Sequence, residues 1–334
     1  MPTTPDYATT ITALSACKKI LVTTHARPDG DALGSTAALV LGLKHKGIHA
    51  DILLQPKSPN KYAFVYEDAG LTYTPADPVL PDSFSLAGYD AIVTVDTGTW
   101  SQLPGLRPHV EGFTGRKLVI DHHLTQEDWA DIKLVDTTAG AACEIVAELL
   151  QQWHVPLDRR VGEALYVGLV SDTGWFQYSN PRPYALRLAA TLLELGVDAD
   201  RLYQRLYQSE RPQRVLLQAR AMQSLQLLAN NRVAVMTIRR DDLLAVDATT
   251  NDTEGLINVP LAVRDVHVSV VLSEPLEPDG AIRCSFRSRG QLDVAAFAQH
   301  FGGGGHARAA GAKITGTLDA AKTAVVERLL QTLA

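Results

Sequence analysis

Three short runs rich in β-branched residues, 20–24 (ILVTT), 91–95 (AIVTV) and 118–120 (LVI), each stop abruptly at ionisable side chains. The first ends at His25, the second at Asp96, and the third at Asp121, His122 and His123. A short continuous apolar run, without alternation, is the pattern of a strand buried on both faces. Between and after these runs lie longer stretches with apolar residues at helical spacing, the first over residues 31–46. Strands alternating with helices predict a parallel sheet with helical cover, and in such sheets ligands collect beyond the carboxyl ends of the strands. The expected fold class is therefore α/β, with the ionisable residues sharing one sheet edge.

At 334 residues the chain is long enough for two domains. After residue 139 the pattern becomes helical in three segments, AACEIVAELLQQW, RRVGEALYVGLVSD and PYALRLAATLLELG, which would complete a first domain over residues 1–198. Residues 199–229 alternate charged and apolar positions with a break near Pro212, and are expected to form a helical linker. A smaller, mixed α/β domain is expected over 230–334. Its strands are RVAVMTI, VHVSVVL and IRCSFRS, followed by a helix from Val294 to Phe301, a GGGGH loop, a strand near AKITG and a terminal helix. A catalytic cleft is expected between the two domains.

Charge and cysteine usage narrow the partners. With 31 basic against 37 acidic residues the net charge is −6, so no bulk positive field would hold a long nucleic acid. The cysteines, Cys17, Cys143 and Cys284, show no metal-finger or redox spacing, which predicts a reducing, cytoplasmic setting. No window of 18 apolar residues and no leader-like N-terminus occurs, so neither membrane insertion nor export is expected.

The chemistry resides in four segments. THARPDGD places His25, Asp29 and Asp31 on the turn entering a helix; the same spacing also suits a turn at Asp29–Gly30 with Asp31 as helix cap. Asp96, in VDTG, could likewise be a cap. Adjacent histidines after an apolar strand, as at His122 and His123, rarely serve packing. Asp172 closes a strongly apolar helical run, where a carboxylate is costly unless paired or metal-bound. Carboxylates gathered at one edge repel and take up protons unless a cation neutralises them. Carboxylate oxygen mixed with imidazole nitrogen, without cysteine, favours Mn²⁺ over Mg²⁺ or a structural zinc. Six or seven ligands suit a pair of ions sharing a carboxylate, which activates water for in-line attack at phosphorus. Phosphoester or phosphoanhydride hydrolysis is the expected reaction.

In their order and spacing, HARPDGD, VDTG, DHH and SDTG resemble the four motifs of the DHH phosphoesterase superfamily, and RSRG with GGGGHARAAG resembles its associated C-terminal domain. The motifs run from Thr24 to Gly311. The size and motif set are most similar to the bacterial nano-RNase and pAp-phosphatase branch. That resemblance implies two Mn²⁺ per chain, with Mg²⁺ or Co²⁺ as substitutes. His25, Asp29 and Asp96 would hold one ion; Asp31, Asp96, His122 and Asp172 would hold the other. His123 would face the scissile phosphate, acting with Asp31 and Asp96 in catalysis, and Asp121 would orient a histidine. A homodimer is implied as well.

In the second domain the expected phosphate-binding residues are Arg287, Ser288 and Arg289 at a strand end, with Gly303, Gly304, Gly305 and His306. Glycine lets backbone N–H groups approach an anion, and arginine offers a forked donor; a glycine run alone also serves as a hinge. Arg308 lies beside them. His45, His49, His109, His154, His267 and His300 are read as surface or packing residues, and Trp175, Phe176 and Tyr178 as core. The expected substrates are short oligoribonucleotides, pAp, or linear dinucleotides such as pApA. A soluble cyclic-di-AMP or pApA phosphodiesterase is the near alternative, and a catalytically silent nucleotide sensor the alternative of another class.

Overall fold

The computed structural model describes residues 5–55, 60–67, 69–70, 72–73, 80–81, 83–277 and 280–333, with only the backbone described at residues 60, 72, 73 and 306. The chain divides into two compact units, 1–209 and 210–334. The first contains α1 (Tyr7–Ser15), β1 (Lys19–Thr24), α2 (Gly30–His45), β2 (His49–Leu53), α3 (Ala63–Tyr66), β3 (Thr72–Tyr73), β4 (Ala91–Val95) and α4 (Arg107–Glu111). It continues with β5 (Arg116–Asp121), β6 (Ile132–Val135), α5 (Ala142–Gln152), α6 (Arg159–Asp172), α7 (Pro183–Glu194) and α8 (Ala199–Tyr207).

Its sheet has the order β3-β2-β1-β4-β5-β6, and every pairing is parallel. The chain order reverses between β1 and β4, the switch point where open α/β sheets bind ligands. Register aligns the ends: Thr24 pairs with Val95, and Val95 with Ile120, so His25, Asp96 and Asp121 leave the sheet at one level. Three strands lack a clear signature in the sequence. β3 has two residues; β6 is a half-buried edge, IKLV; and β2 carries Asp51, a buried carboxylate bonded by the Tyr89 hydroxyl at 2.7 Å. An edge strand buries only part of its surface, so it loses the apolar run that marks a central one.

Helix α2 is buried over nearly its whole length, which is why its sequence is apolar on every side. It packs against α6 so closely that a Cβ at Gly34 would meet the Ala164 carbonyl oxygen at 2.4 Å. Backbone against backbone, α2 and α6 bring the first turn of one beside the last turn of the other, and these turns carry Asp31 and Asp172.

The second unit contains α9 (Pro212–Gln223), β7 (Gln226–Leu228), β8 (Val233–Ile238), α10 (Arg240–Ala245), β9 (Val268–Ser273), β10 (Ile282–Ser288), α11 (Val294–Gln299), β11 (Gly304–His306), β12 (Ala309–Ile314) and α12 (Leu318–Leu333). Its sheet order is β11-β12-β10-β9-β8-β7, mixed because β8 and β9 run parallel while the other pairs are antiparallel. β10 alternates: Ile282, Cys284 and Phe286 join a core with Phe297, Val325 and Leu329, while Arg283, Ser285 and Arg287 are less buried.

Residues 199–229, expected as a linker, divide between the units. Leu202 and Leu206 of α8 enter the first core, Leu217 and Ala221 of α9 enter a second-unit core, and β7 pairs with β8. The alternation of charged and apolar positions that suggested a helical linker is that of two helices each burying one stripe. The GGGGH segment is not a free loop either, since Gly304–His306 is a strand paired with β12. Among the described residues no helix is long and apolar enough to cross a membrane.

Candidate metal centre

Each side chain at the β1/β4 switch point is positioned by its own strand end or helix end. Asp29 caps α2, its Oδ1 accepting from the N–H groups of Asp31 (3.0 Å) and Ala32 (3.1 Å). Asp29 and not Asp31 is thus the helix cap. Asp31 lies in the first turn, fully buried, and its carboxylate accepts from the N–H groups of Ala142 (2.5 Å) and Cys143 (3.0 Å) at the N-terminus of α5. A helix N-terminus is a natural anion holder, and here it clamps Asp31 in one orientation. Asp96 has φ +64, the left-handed region, and its N–H donates to Ile120 O at 2.9 Å. Aspartate tolerates that conformation better than most residues, and it turns the chain sharply at the strand end.

The histidines are fixed from behind. His25 Nδ1 lies 3.0 Å from the Ala26 carbonyl oxygen, and His122 Nδ1 lies 3.2 Å from that of Ala139. A carbonyl accepts only from a protonated Nδ1, so each ring directs Nε2 inward. His25 Nε2 sits 3.5 Å from Asp96 Oδ2, and His122 Nε2 sits 3.3 Å from both Asp96 Oδ1 and Asp172 Oδ2 and 4.0 Å from Asp31 Oδ2. Three sets of potential ligand atoms each fall within 4.8 Å of one another: His25, Asp29 and Asp96; Asp31, His122 and Asp172; and Asp96, His122 and His123.

Electrostatics describe a cluster that holds protons when it holds no cation. Burial and the charges of Asp96 and Asp172 raise Asp31 well above the ordinary carboxylate range. Burial, then Asp96 and Asp29, push Asp172 up to about 7. Burial alone would lower the histidines, but the nearby Asp96 carboxylate outweighs it, taking His25 to about 9 and, with Asp31 and Asp172 adding their charge, His122 to about 10. Asp96 gains from both: despite burial, His122 and His25 hold it down at about 2. Two buried atoms at the centre, Asp96 Oδ1 and His122 Nε2, have no hydrogen-bond partner. Unpartnered buried lone pairs facing further carboxylates are what a divalent cation would satisfy, so the residues fit a metal.

Asp121 stands behind this layer, fully buried. Its Oδ1 accepts from the N–H groups of His122 (2.8 Å) and His123 (3.1 Å) and from His123 Nδ1 (2.8 Å). The His123 ring is more than half exposed.

In the second unit Arg287 and Arg289 differ. Arg287 is partly buried, its Nη1 donating to Phe286 O at 3.2 Å, and burial lowers its guanidinium pKa. It pairs across the sheet with Ala309, and Ser285 with Gly311, so its neighbours on that face are small. Arg289, expected among the phosphate ligands, instead gives its fork to the carbonyl oxygens of Leu261 (2.8 Å), Val263 (3.0 Å) and Arg264. Those bonds take three of its five N–H donors and leave Nε–H and one Nη1–H. Ser288 is buried, with an unpartnered hydroxyl. Gly303 and Gly305 are pressed against β12, where a Cβ would lie 2.2 Å from Gly311 O and 2.5 Å from Ala309 O, while Gly304 has open space beside it. The His306 side chain lies outside the described residues.

The sequence matches the model of the DHH family, N-terminal domain, over residues 19–169 and that of the DHHA1 domain over 230–334. It is 30% identical over 317 residues to a Thermus thermophilus protein named bifunctional oligoribonuclease and PAP phosphatase NrnA, an alignment covering 94% of this chain and 90% of that protein. The chain belongs to the DHH family. A Bacillus subtilis protein of the same name is 27% identical over 310 residues, 91% of this chain and 92% of that protein. The crystal structure of an exopolyphosphatase-related protein from Bacteroides fragilis has the same fold, with a TM-score of 0.84, 24% identity, and coverage of 98% of this chain and 95% of that one.

Supporting residues of this DHH-family site escape motif reading. Asn180 donates from Nδ2 to Gly140 O (2.9 Å) and Asp172 O (3.0 Å), and buried Glu144 accepts from Arg182 Nε (2.5 Å) and the Gly140 N–H (2.9 Å). They lock the loop after Asp172 to the α5 N-terminus that clamps Asp31. Both Asn180 and Arg182 lie outside the four motifs. Tyr178, expected in the core, is 64% exposed, whereas Trp175 and Phe176 pack against the first core.

Proposed function

We propose that this chain is a divalent-metal-dependent phosphoesterase that hydrolyses short oligoribonucleotides and converts pAp to AMP and phosphate. The observation that carries this reading is the convergence of His25, Asp29, Asp31, Asp96, His122 and Asp172, from four separate segments, with both Nε2 atoms directed inward. The names of the Thermus and Bacillus relatives support the substrate class. The donor set, oxygen and imidazole without thiolate, favours Mn²⁺; His25, Asp29 and Asp96 would hold one ion, and Asp31, Asp96, His122 and Asp172 a second. Such ions would supply positive charge against a phosphate and make a water molecule more acidic.

The protein residues do the positioning. Asp31 is held rigid by the α5 N–H groups, and the His25 and His122 rings are held by carbonyls, so the ligand set is organised before substrate arrives. His123, fixed through Nδ1, offers Nε2 to the scissile phosphate as an electrostatic or acid partner. In the second unit Arg287 and the Gly303–His306 backbone grip a phosphate of the substrate. A chain of net charge −6 suits short substrates, which need a pocket and not a charged track.

Product analysis on 5′-phosphorylated RNA of two to twenty nucleotides, with pAp and cyclic di-AMP, in Mn²⁺ or EDTA, tests this. The expected result is turnover of pAp and the shortest oligomers in Mn²⁺ alone. Turnover restricted to cyclic di-AMP or pApA would replace it with a dinucleotide phosphodiesterase, and binding without turnover with a sensor.

A further inference from the structure

Gln126 lies in the segment after the DHH motif, in no motif of its own. Its Nε2 donates to Asp121 Oδ2 at 2.5 Å and to the His123 carbonyl oxygen at 3.1 Å. Both partners are acceptors, which fixes the amide orientation: a carbonyl oxygen could not face the Asp121 carboxylate. The other end of the amide, Oε1, is buried without a partner, so the side chain keeps this pose at a cost to the fold.

That pose depends on residue 98. A Cβ at Gly98 would stand 1.9 Å from Gln126 Oε1 and 2.6 Å from Cδ, an overlap no side chain at 98 could relieve with Gln126 in place. The loop itself does not need Gln126, because Glu127 N–H (3.1 Å) and Trp129 Nε1 (3.0 Å) both donate to Gly98 O. Removing the amide therefore leaves the loop docked but deprives Asp121 Oδ2 of a donor. Asp121 Oδ1 is the atom that holds His123 Nδ1 at 2.8 Å.

We propose that Gln126 is a positioning residue for His123, acting through Asp121, and that position 98 is glycine in order to admit it. The two strand-end motifs VDTG and DHH are thereby coupled: one supplies the space, the other the carboxylate. The role of His123 at the reacting phosphate rests on the function proposed above, whereas the Gly98–Gln126 fit does not.

The test uses the full chain with Gly98→Ala, Gln126→Ala and the double variant. In a ¹⁵N-labelled, metal-free sample, the Gln126 side-chain NH₂ pair, identified by its loss in Gln126→Ala, should be slow to exchange in the parent chain and should move to the free-glutamine position in Gly98→Ala. With pAp and Mn²⁺, both single variants should lose about 10-fold or more in kcat, with KM and Mn²⁺ affinity changed less than about 2-fold and a single cooperative melting transition retained. The double variant should be no slower than either single one, since both remove the same interaction. Multiplying losses in the double variant, an unmoved NH₂ pair in Gly98→Ala, or an effect confined to KM would each overturn the proposal. If the parent chain hydrolyses no phosphoester, the functional reading fails and the NMR result still decides the fit.

Discussion

Gly34→Ala should damage this protein far more than its small size suggests. The added methyl would lie 2.4 Å from Ala164 O, 2.8 Å from Gly168 N and 3.1 Å from Gly168 Cα, all backbone atoms of α6. Ordinary contact begins near 3.4 Å, so α2 and α6 must part by about 1 Å, the difference between 3.4 and 2.4. Overpacking of this kind costs about 1–3 kcal/mol, which in a unit of this size lowers Tm by roughly 2–12 °C. The displacement also separates Asp31 from Asp172, and a misplacement of about 1 Å can cost about 10²-fold in rate. Gly42→Ala is the control, because its methyl would come just as close, 2.3 Å, but to Leu150 Cδ2, the end of a side chain that can rotate away. Differential scanning calorimetry of the metal-free chain, with pAp turnover in Mn²⁺, reads both effects. Equal losses in the two variants, or parent-like turnover in Gly34→Ala, would refute the argument that helix backbone contact sets the carboxylate spacing.

Three further outcomes are expected. Asp96→Asn, which removes the carboxylate common to two of the ligand sets, should lower kcat by at least about 10²-fold and weaken Mn²⁺ binding in calorimetric titration; near-normal turnover at saturating Mn²⁺ would contradict a shared role. Arg287→Ala should raise KM for phosphorylated substrates with little change in stability, whereas Arg289→Ala, which frees three backbone carbonyls, should lower stability by about 1–3 kcal/mol in denaturant titration. Asp252 is held below its ordinary pKa despite burial, by bonds from Thr249 N–H (2.7 Å) and Oγ1 (2.9 Å) and the charge of Arg211. Because the unfolded chain binds that proton first, the stabilisation is complete above the ordinary carboxylate pKa of about 4 and is lost as pH falls below it. Asp252→Ala should therefore cost about 1 kcal/mol near neutral pH, and parent and variant melting curves should converge at lower pH.

Much of the candidate site was legible because its signals are local. A central parallel strand must be apolar throughout, so His25, Asp96 and Asp121–His123 announce themselves as the residues where the apolar run stops, and Asp172 as the acid that ends a buried helix. Their order along the chain also carried the family resemblance. The supports of those residues were hidden for an equally physical reason. Asp31 is clamped by the N–H groups of Ala142 and Cys143, more than a hundred positions away, and a backbone donor leaves no mark on residue identity. Arg287 and Arg289 look interchangeable in RSRG, yet the strand pleat sends them to different surroundings, one beside small residues and the other into a set of carbonyls. Gly98 reads as a turn glycine until Gln126 is seen filling the place of its missing side chain. Strand ends and residue chemistry are written along the chain, whereas which backbone faces which side chain follows from long-range packing, and only folding supplies it.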